Sequence, residues 1–323
     1  MRRYRTVAVV LGLAMAGLVL PSGCARPAAG PKKIVIGLAL PALSHPFFVY
    51  VKQGALEEAR TLDVEVLACE ADDKPDRQMA IVEDFVAQRV DGVLLAPISA
   101  EALVPAAESL NAAGIPLATV DRQLNGGDVL VHVGADNVEG GRVAARYLID
   151  KLGGKGGVIQ LEGTPGASPA IDRKRGFEEV LATSELKLVA SQTAEFYRAK
   201  GQSVMENLLQ TGAQFQAVFA ANDEMILGAI EALEARNVDL SRVVTIGYDA
   251  IPDAVDSIRQ HRLTASIEQF PGEQGRSALR LLVEKIRSGQ SPPSKLVRIT
   301  PIVIDGSNLD RTERKGQGLG IGD

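Results

Sequence analysis

Short apolar runs alternate along this chain with longer stretches whose apolar residues recur at helical spacing. "KIVIGLAL" predicts a strand and the amphipathic "FFVYVKQGALEEARTL" a helix; "VEVLAC" and "DRQMAIVEDFVAQ" repeat the pair, and "DGVLLAP", "EALVPAAESLNAAG" and "IPLATV" continue it. After "VHVGADN" (Val131 to Asn137) the rhythm restarts with a helix over residues 138–152. Strand "GGVIQLEG", a helix over 171–182, strand "LVASQTA" and a helix over 199–211 come next. They are followed by "QAVFAAND", a helix over 224–236, "RVVTIGYD" and a short helix over 252–260. "LTASIEQF" leads into the long helix "GEQGRSALRLLVEKIRSG" and one last strand, "KLVRITPIVI". Such alternation predicts an α/β fold of parallel sheets with helices on both faces, and strands in this number predict two doubly wound sheets. Residues 310–323, polar and rich in glycine, read as a disordered tail.

The N-terminus departs from the rhythm. "MRRYR" is basic, and the apolar run from Val7 to Leu20 is shorter than the ~18–20 residues of a membrane span, so residues 1–24 read as an export signal. "LPSGC" resembles a bacterial lipobox, which implies lipidation of Cys24 and a membrane attachment through the lipid. Pro21 stands where that motif has Leu, which leaves open ordinary cleavage just beyond Cys24. Residues 25–32 form a Pro/Ala/Gly tether. Cys69 then has no disulfide partner within the chain and reads as a small semi-buried residue at a strand end.

Composition narrows the function classes. A length of 323 residues suggests about two domains, and a net charge of −5 gives no reason to expect nucleic acid. His45, His132 and His261 are scattered without metal-ligand spacing, so no metal and no cofactor are expected. There is no phosphate loop and no nucleophile elbow; "LGGKGG" precedes a strand instead of following one and is a turn. Asp72 and Asp73 sit in a polar loop with no apolar neighbour to raise a pKa. The chain is not expected to be an enzyme.

Doubly wound sheets bind ligands at the carboxyl ends of their strands. The polar residues there are Asp121 to Gln123, Asn222 and Asp223, Tyr248 and Asp249, and Gln269, with Arg173 at a helix start. Singly, each has a plain explanation. Asn222 and Asp249 serve equally as helix N-caps, Arg173 as a solvated charge, and Phe47 and Phe48 as a helix-start staple. As a set they combine planar groups able to reach hydroxyls in pairs with rings able to cover an apolar C–H face.

From Lys33 to about Ile304 the chain resembles periplasmic monosaccharide-binding proteins of the ribose-binding type. The resemblance is carried in order by "HPFF", "DRQ", "GADNVEGGRVAARYL", "RKRGF", "QAVFAANDEMILGAI", "IGYDAIPD" and "IEQFPGEQG". It implies two lobes, residues 33–135 with 268–297 and residues 136–267 with 298–309, joined by a hinge near Ala135, Ser266 and Arg298. It implies that Phe47, Phe48 and Phe196 pack on the sugar, and that Asp121, Arg122, Arg173, Asn222, Asp249 and Gln269 bond its hydroxyls. Tyr248 stands where these proteins commonly have Phe, His45 where they have a sugar-bonding Asn, and Pro41 where they have Ser. The implied protein is a monomer that closes on a monosaccharide, a ribose-like pentose or related hexose, and is read by an ABC importer, a chemoreceptor or a sensor kinase. A lac-repressor-type regulator shares the fold but would carry a helix-turn-helix where this chain has its signal. A sensory module for a sugar-derived signal shares most of the site.

Overall fold

The computed structural model describes residues 33–313. The expected signal, Cys24, the tether and residues 314–323 lie outside them. In chain order the first elements are β1 (Val35–Leu40), α1 (Pro46–Leu62), β2 (Glu65–Glu70), α2 (Pro75–Gln88), β3 (Gly92–Leu95), α3 (Val104–Ala112), β4 (Leu117–Val120) and β5 (Val131–Ala135). They are followed by α4 (Asn137–Leu152), β6 (Lys155–Glu162), α5 (Ser168–Leu181), β7 (Glu185–Thr193), α6 (Arg198–Gln210), β8 (Ala217–Ala220) and α7 (Asp223–Ala235). The last are β9 (Val244–Tyr248), α8 (Pro252–Arg259), β10 (Ala265–Glu268), α9 (Pro271–Ser288), β11 (Leu296–Ile299) and β12 (Ile302–Asp305).

The strands form two sheets, in the orders β11-β5-β4-β3-β1-β2 and β12-β10-β9-β8-β6-β7. Reversed and renumbered from its own first strand, each contains the doubly wound order 2-1-3-4-5, so each has a switch point beside its first strand. Every described pairing is parallel except β10 with β12. Parallel strands covered on both faces must be apolar throughout, and β3, β4 and β8 are buried at every residue. Alternate side chains feed two cores per sheet: Ile36, Leu38 and Leu40 pack toward α1 and α9, while Ala39, Val93 and Leu95 join the opposite face. In the second sheet Ile159 and Leu161 point one way, and Val158, Phe219 and Tyr248 the other.

Several differences from the sequence reading have local physical causes. "KLVRITPIVI" is not one strand. Arg298 and Ile299 still pair with Gly134 and Ala135 in the first sheet, and only from Ile302 does the chain pair with β10 in the second. Pro301 lies in the break, where its missing N–H cannot serve a ladder, so the chain changes sheets between Ile299 and Ile302, just past Arg298. Likewise Ser266 is inside β10, and the passage to the first sheet falls after Glu268, before α9.

The expected tail begins too early. Thr312 is buried, and the Glu313 carboxylate accepts hydrogen bonds from the Gly272 and Glu273 amides at 2.8 and 2.9 Å. Those amides belong to the first turn of α9, which has no earlier carbonyls to bond them. Cys69 is exposed, not semi-buried, because β2 is the edge strand of its sheet.

One close approach matters for the site. A Cβ on Gly54 of α1 would lie 2.1 Å from the Gly272 carbonyl of α9, and one on Gly275 would lie 2.2 Å from the Val51 carbonyl. The two helices therefore touch backbone to backbone. Since α1 begins Pro46-Phe47-Phe48, this contact sets where the rings emerge. Gly54→Ala should force the helices apart and destabilise the protein by about 1–3 kcal/mol, read as a lower urea midpoint. An unchanged midpoint would show that the helix pair has slack.

Candidate functional site

All the predicted ligand-contacting residues except Tyr248 line one cavity between the carboxyl ends of the two sheets, with Pro169 added. The empty space at this cleft, open mouth included, is about 330 Å³. The first sheet's side contributes His45, Phe47 and Phe48 from the start of α1, and Asp121 and Arg122 from the end of β4. The second contributes Arg173 from α5, and Phe196, Asn222 and Asp249 from the ends of β7, β8 and β9. Gln269 lies on the passage between them.

Arg173 is buried and fully engaged. Its Nε donates to Asn137 at 2.9 Å, Nη1 to the Ala221 carbonyl at 2.6 Å and Nη2 to Gln269 Oε1 at 3.2 Å. Asp249 Oδ1 stands 3.8 Å from Nη1 and accepts from Gln269 Nε2. Tyr248 is one layer below the cavity: the Arg173 guanidinium sits 3.6 Å from its ring centroid. Burial pushes the Tyr248 phenol well above its ordinary pKa. Tyr248 thus supports Arg173 from underneath and does not line the cavity.

Asn222 lines the cavity and is also a helix cap. Its side chain caps α7 by accepting from the Met225 amide at 3.0 Å, and its Nδ2 donates to the Phe196 carbonyl at 3.1 Å. Asp249 is not a cap, because α8 starts from Ile251. Its loop is held instead by buried Asp223, which accepts from the Ile251 amide at 2.8 Å and from Ser266 Oγ at 2.7 Å.

Asp121 and Arg122 are different in kind. Both are about 95% buried, at 4% and 5% exposure, yet their charged groups approach only to 3.7 Å. Arg122 Nη1 donates to the Ile98 carbonyl at 3.2 Å, while Asp121 Oδ1 and Arg122 Nε have no hydrogen-bond partner among the described residues. The Arg122 guanidinium lies 5.2 Å from the Phe48 ring centroid and 5.8 Å from that of Phe196. Burial raises the Asp121 pKa, against the pull of Arg122 and Arg173, and burial likewise lowers that of Arg122. A polar pair is thus held between aromatic rings with hydrogen-bonding capacity unused.

Several contributors escaped the sequence reading. Asp73 is half-buried against His45, with Nε2 to Oδ2 at 2.8 Å, and accepts a second hydrogen bond from the Tyr197 hydroxyl. Asp73 follows β2, so the strand-end rule that found the others also covered it; its partners His45 and Tyr197 come from elsewhere in the chain. Asn137 and Tyr197 adjoin motifs already singled out, "GADN" and "AEFY".

Residues 36–291 match the periplasmic binding protein domain. The chain belongs to the periplasmic binding protein family. Among its relatives, the ribose import binding protein RbsB of Bacillus subtilis (strain 168) is 39% identical over 303 residues, 90% of this chain and 98% of that one. The D-allose-binding periplasmic protein of Escherichia coli (strain K12) is 33% identical over 79% of this chain and 86% of its own. Among solved structures, the Caulobacter myo-inositol binding protein bound to myo-inositol superposes with a TM-score of 0.84 at 34% identity, covering 88% of this chain and 97% of that one. The two-sheet α/β architecture is therefore that of type I periplasmic binding proteins.

The raised Asp121 pKa gives this periplasmic binding protein a defined pH response. Its carboxyl holds a proton more firmly folded than unfolded, so its contribution to stability is present below the ordinary value of about 4 and is lost as pH rises through the raised value. Asp121→Asn should therefore raise the ligand-free unfolding midpoint at neutral pH, with the two proteins converging below about pH 4. A lower midpoint at neutral pH would mean that Arg122 stabilises the carboxylate more than burial destabilises it.

Proposed function

We propose that this chain is an extracytoplasmic solute-binding protein that captures a monosaccharide, a ribose-like pentose or related hexose, between its two sheets and delivers it to an ABC importer. The observation that carries the reading is the unpartnered pair of Asp121 Oδ1 and Arg122 Nε, buried beside the Phe48 and Phe196 rings. A buried polar atom left unbonded costs about 1–3 kcal/mol, more when charged. A sugar hydroxyl can donate to the carboxylate and accept from the guanidinium at once, while the ring C–H face covers the aromatics. Ribose, allose and myo-inositol, named for the relatives, share that combination of adjacent hydroxyls and an apolar face.

Contacts from both sheets favour a closed arrangement over an open one, which is how a small ligand shifts the population. The passages at residues 135–137, 268–271 and 299–302 are the proposed hinge. Membership of the family makes this an exported protein, and the "LPSGC" motif supports the finer proposal of a lipid anchor at Cys24.

Calorimetric titration with a panel of pentoses, hexoses and inositols should find a tight ligand. Arg122→Ala should weaken it at least about 100-fold while leaving the far-ultraviolet circular dichroism of a folded protein, since a lost charge-assisted bond plus an unpaired partner is worth several kcal/mol. A panel in which no monosaccharide binds, but an amino acid or nucleoside does, would overturn the reading.

A further inference from the structure

His45 lines the cavity and is only 7% exposed, yet its ring is tied to groups outside the set expected to touch the ligand. Nε2 lies 2.8 Å from Asp73 Oδ2, and the Tyr197 hydroxyl donates to that same oxygen from the second sheet's side. The His45 ring packs at 4.8 Å from the Tyr197 ring and edge-on, 6.4 Å, to Phe48. Asp73 is itself held in place. It has φ 52°, in the left-handed region, and its amide donates to the Pro41 carbonyl at 3.0 Å. Its neighbour Asp72 turns away to Lys74 and Arg77, at 2.9 and 3.7 Å.

An ionised carboxylate only accepts hydrogen bonds, so the shared hydrogen must reside on Nε2. Burial opposes ionisation of Asp73, but the hydrogen bonds from His45 and Tyr197 outweigh it, and its pKa lies below the ordinary value. With Nε2 protonated, a neutral imidazole has a bare Nδ1, which accepts and cannot donate. No hydrogen bond to Nδ1 is present among the described residues.

We propose that Asp73 and Tyr197 are positioning residues that hold the neutral His45 ring in its Nε2–H form, leaving Nδ1 as an acceptor, so that with a neutral ring the site selects sugars presenting a donating hydroxyl at that one position. The inference rests on the monosaccharide reading for its ligand, but not for the state of the ring. An amide in place of His45 could donate or accept by flipping, and would accept either kind of partner; the locked imidazole would not. Tyr197 adds a second consequence. It reaches Asp73 from the opposite side of the cavity, so the clamp is complete only when the two sides are together.

Two measurements test this. First, long-range ¹H–¹⁵N spectra of the ligand-free protein, taken where the ring is neutral, should show His45 protonated at Nε2 and bare at Nδ1. In Asp73→Ala the two tautomers should mix. A Nδ1–H ring in the parent, or an unaltered pattern in Asp73→Ala, overturns the proposal. Second, the tightest sugar of the panel is compared with its single deoxyfluoro analogues, in which fluorine cannot donate. At one position fluorination should weaken binding to the parent by about 10–100-fold, and by no more than about 3-fold to His45→Ala and to Asp73→Ala. Tyr197→Phe should weaken every sugar alike, by about 3–10-fold. A full fluorine penalty retained in Asp73→Ala sinks the lock. If no monosaccharide binds at all, the functional reading fails while the spectra still decide the tautomer.

Discussion

A guanidinium taken out of water must have its donors satisfied by the protein, and the site is assembled around that demand at Arg173. Its partners come from separate parts of the chain. Asn137 opens α4 just past the first passage between sheets, the Ala221 carbonyl ends β8, Gln269 sits on the second passage, and the Tyr248 ring caps β9. None of these would be in register unless the second sheet had its doubly wound order. Gln269 in turn bonds Asp249, so one buried cation fixes the whole polar floor of the cavity before any ligand arrives. Removing it would leave the Asn137 and Gln269 side-chain oxygens and the Ala221 carbonyl to find new donors together.

The walls are built on a different principle. Asp121, Phe196 and Asp249 have φ of 60°, 67° and 111°, all in the range that side-chain-bearing residues avoid. Each such conformation costs on the order of 1–3 kcal/mol; Asp121 and Asp249 directly follow β4 and β9, and Phe196 is in the loop after β7. The strain turns the chain sharply enough to aim a side chain into the cleft instead of continuing the sheet. Support comes from behind: buried Gln78 bonds the Ala96 carbonyl and Ile98 amide at 2.9 and 2.8 Å, and the Ile98 carbonyl receives Arg122. The scaffold thus holds Asp121 and Arg122 in an unfavourable, unsatisfied arrangement. That is the usual signature of groups kept ready for a partner.

The sequence revealed what depends on local pattern. Alternating apolar runs and helical spacing were enough for the two sheets, because a strand buried on both faces has no other way to be written. The strand-end rule was enough to bring Asn222 and Asp249 to one cleft, because a doubly wound sheet places those positions there. What stayed hidden depends on residues distant in sequence. Asp73 looked like a solvated loop carboxylate, since its partners His45 and Tyr197 lie 28 and 124 positions away. Glu313 looked like part of a polar tail, since the α9 amides that need it are about forty residues earlier. The break at Thr300-Pro301 was legible in principle; a proline inside an apolar run cannot donate to the ladder, and the chain uses it to change sheets.

The passages between sheets also explain why so few groups hold the two sides of the cleft together. Outside the Arg173 network, the bonds across it include the Ala100 amide to the Gly166 carbonyl at 3.1 Å, the Gln123 amide to Ser168 Oγ at 2.9 Å, and Tyr197 to Asp73. A hydrogen bond exchanged with water contributes about 0.5–1.5 kcal/mol, and one to a charged group about 1.5–3 kcal/mol, so these three together favour closure by only a few kcal/mol. A clasp much stronger than this would keep the cleft shut without a ligand and remove the difference that a membrane partner reads. At the second passage the balance is the reverse. Buried Glu268 accepts from the Gln269 and Phe270 amides at 2.9 and 2.8 Å and from the Glu313 amide at 3.0 Å, so this connection is stiffened by a carboxylate. With that passage braced yet still part of the proposed hinge, and with weak bonds at the mouth, opening and closing is the freedom left to the two sides. The energy that decides between those states is then left to whatever satisfies Asp121 and Arg122.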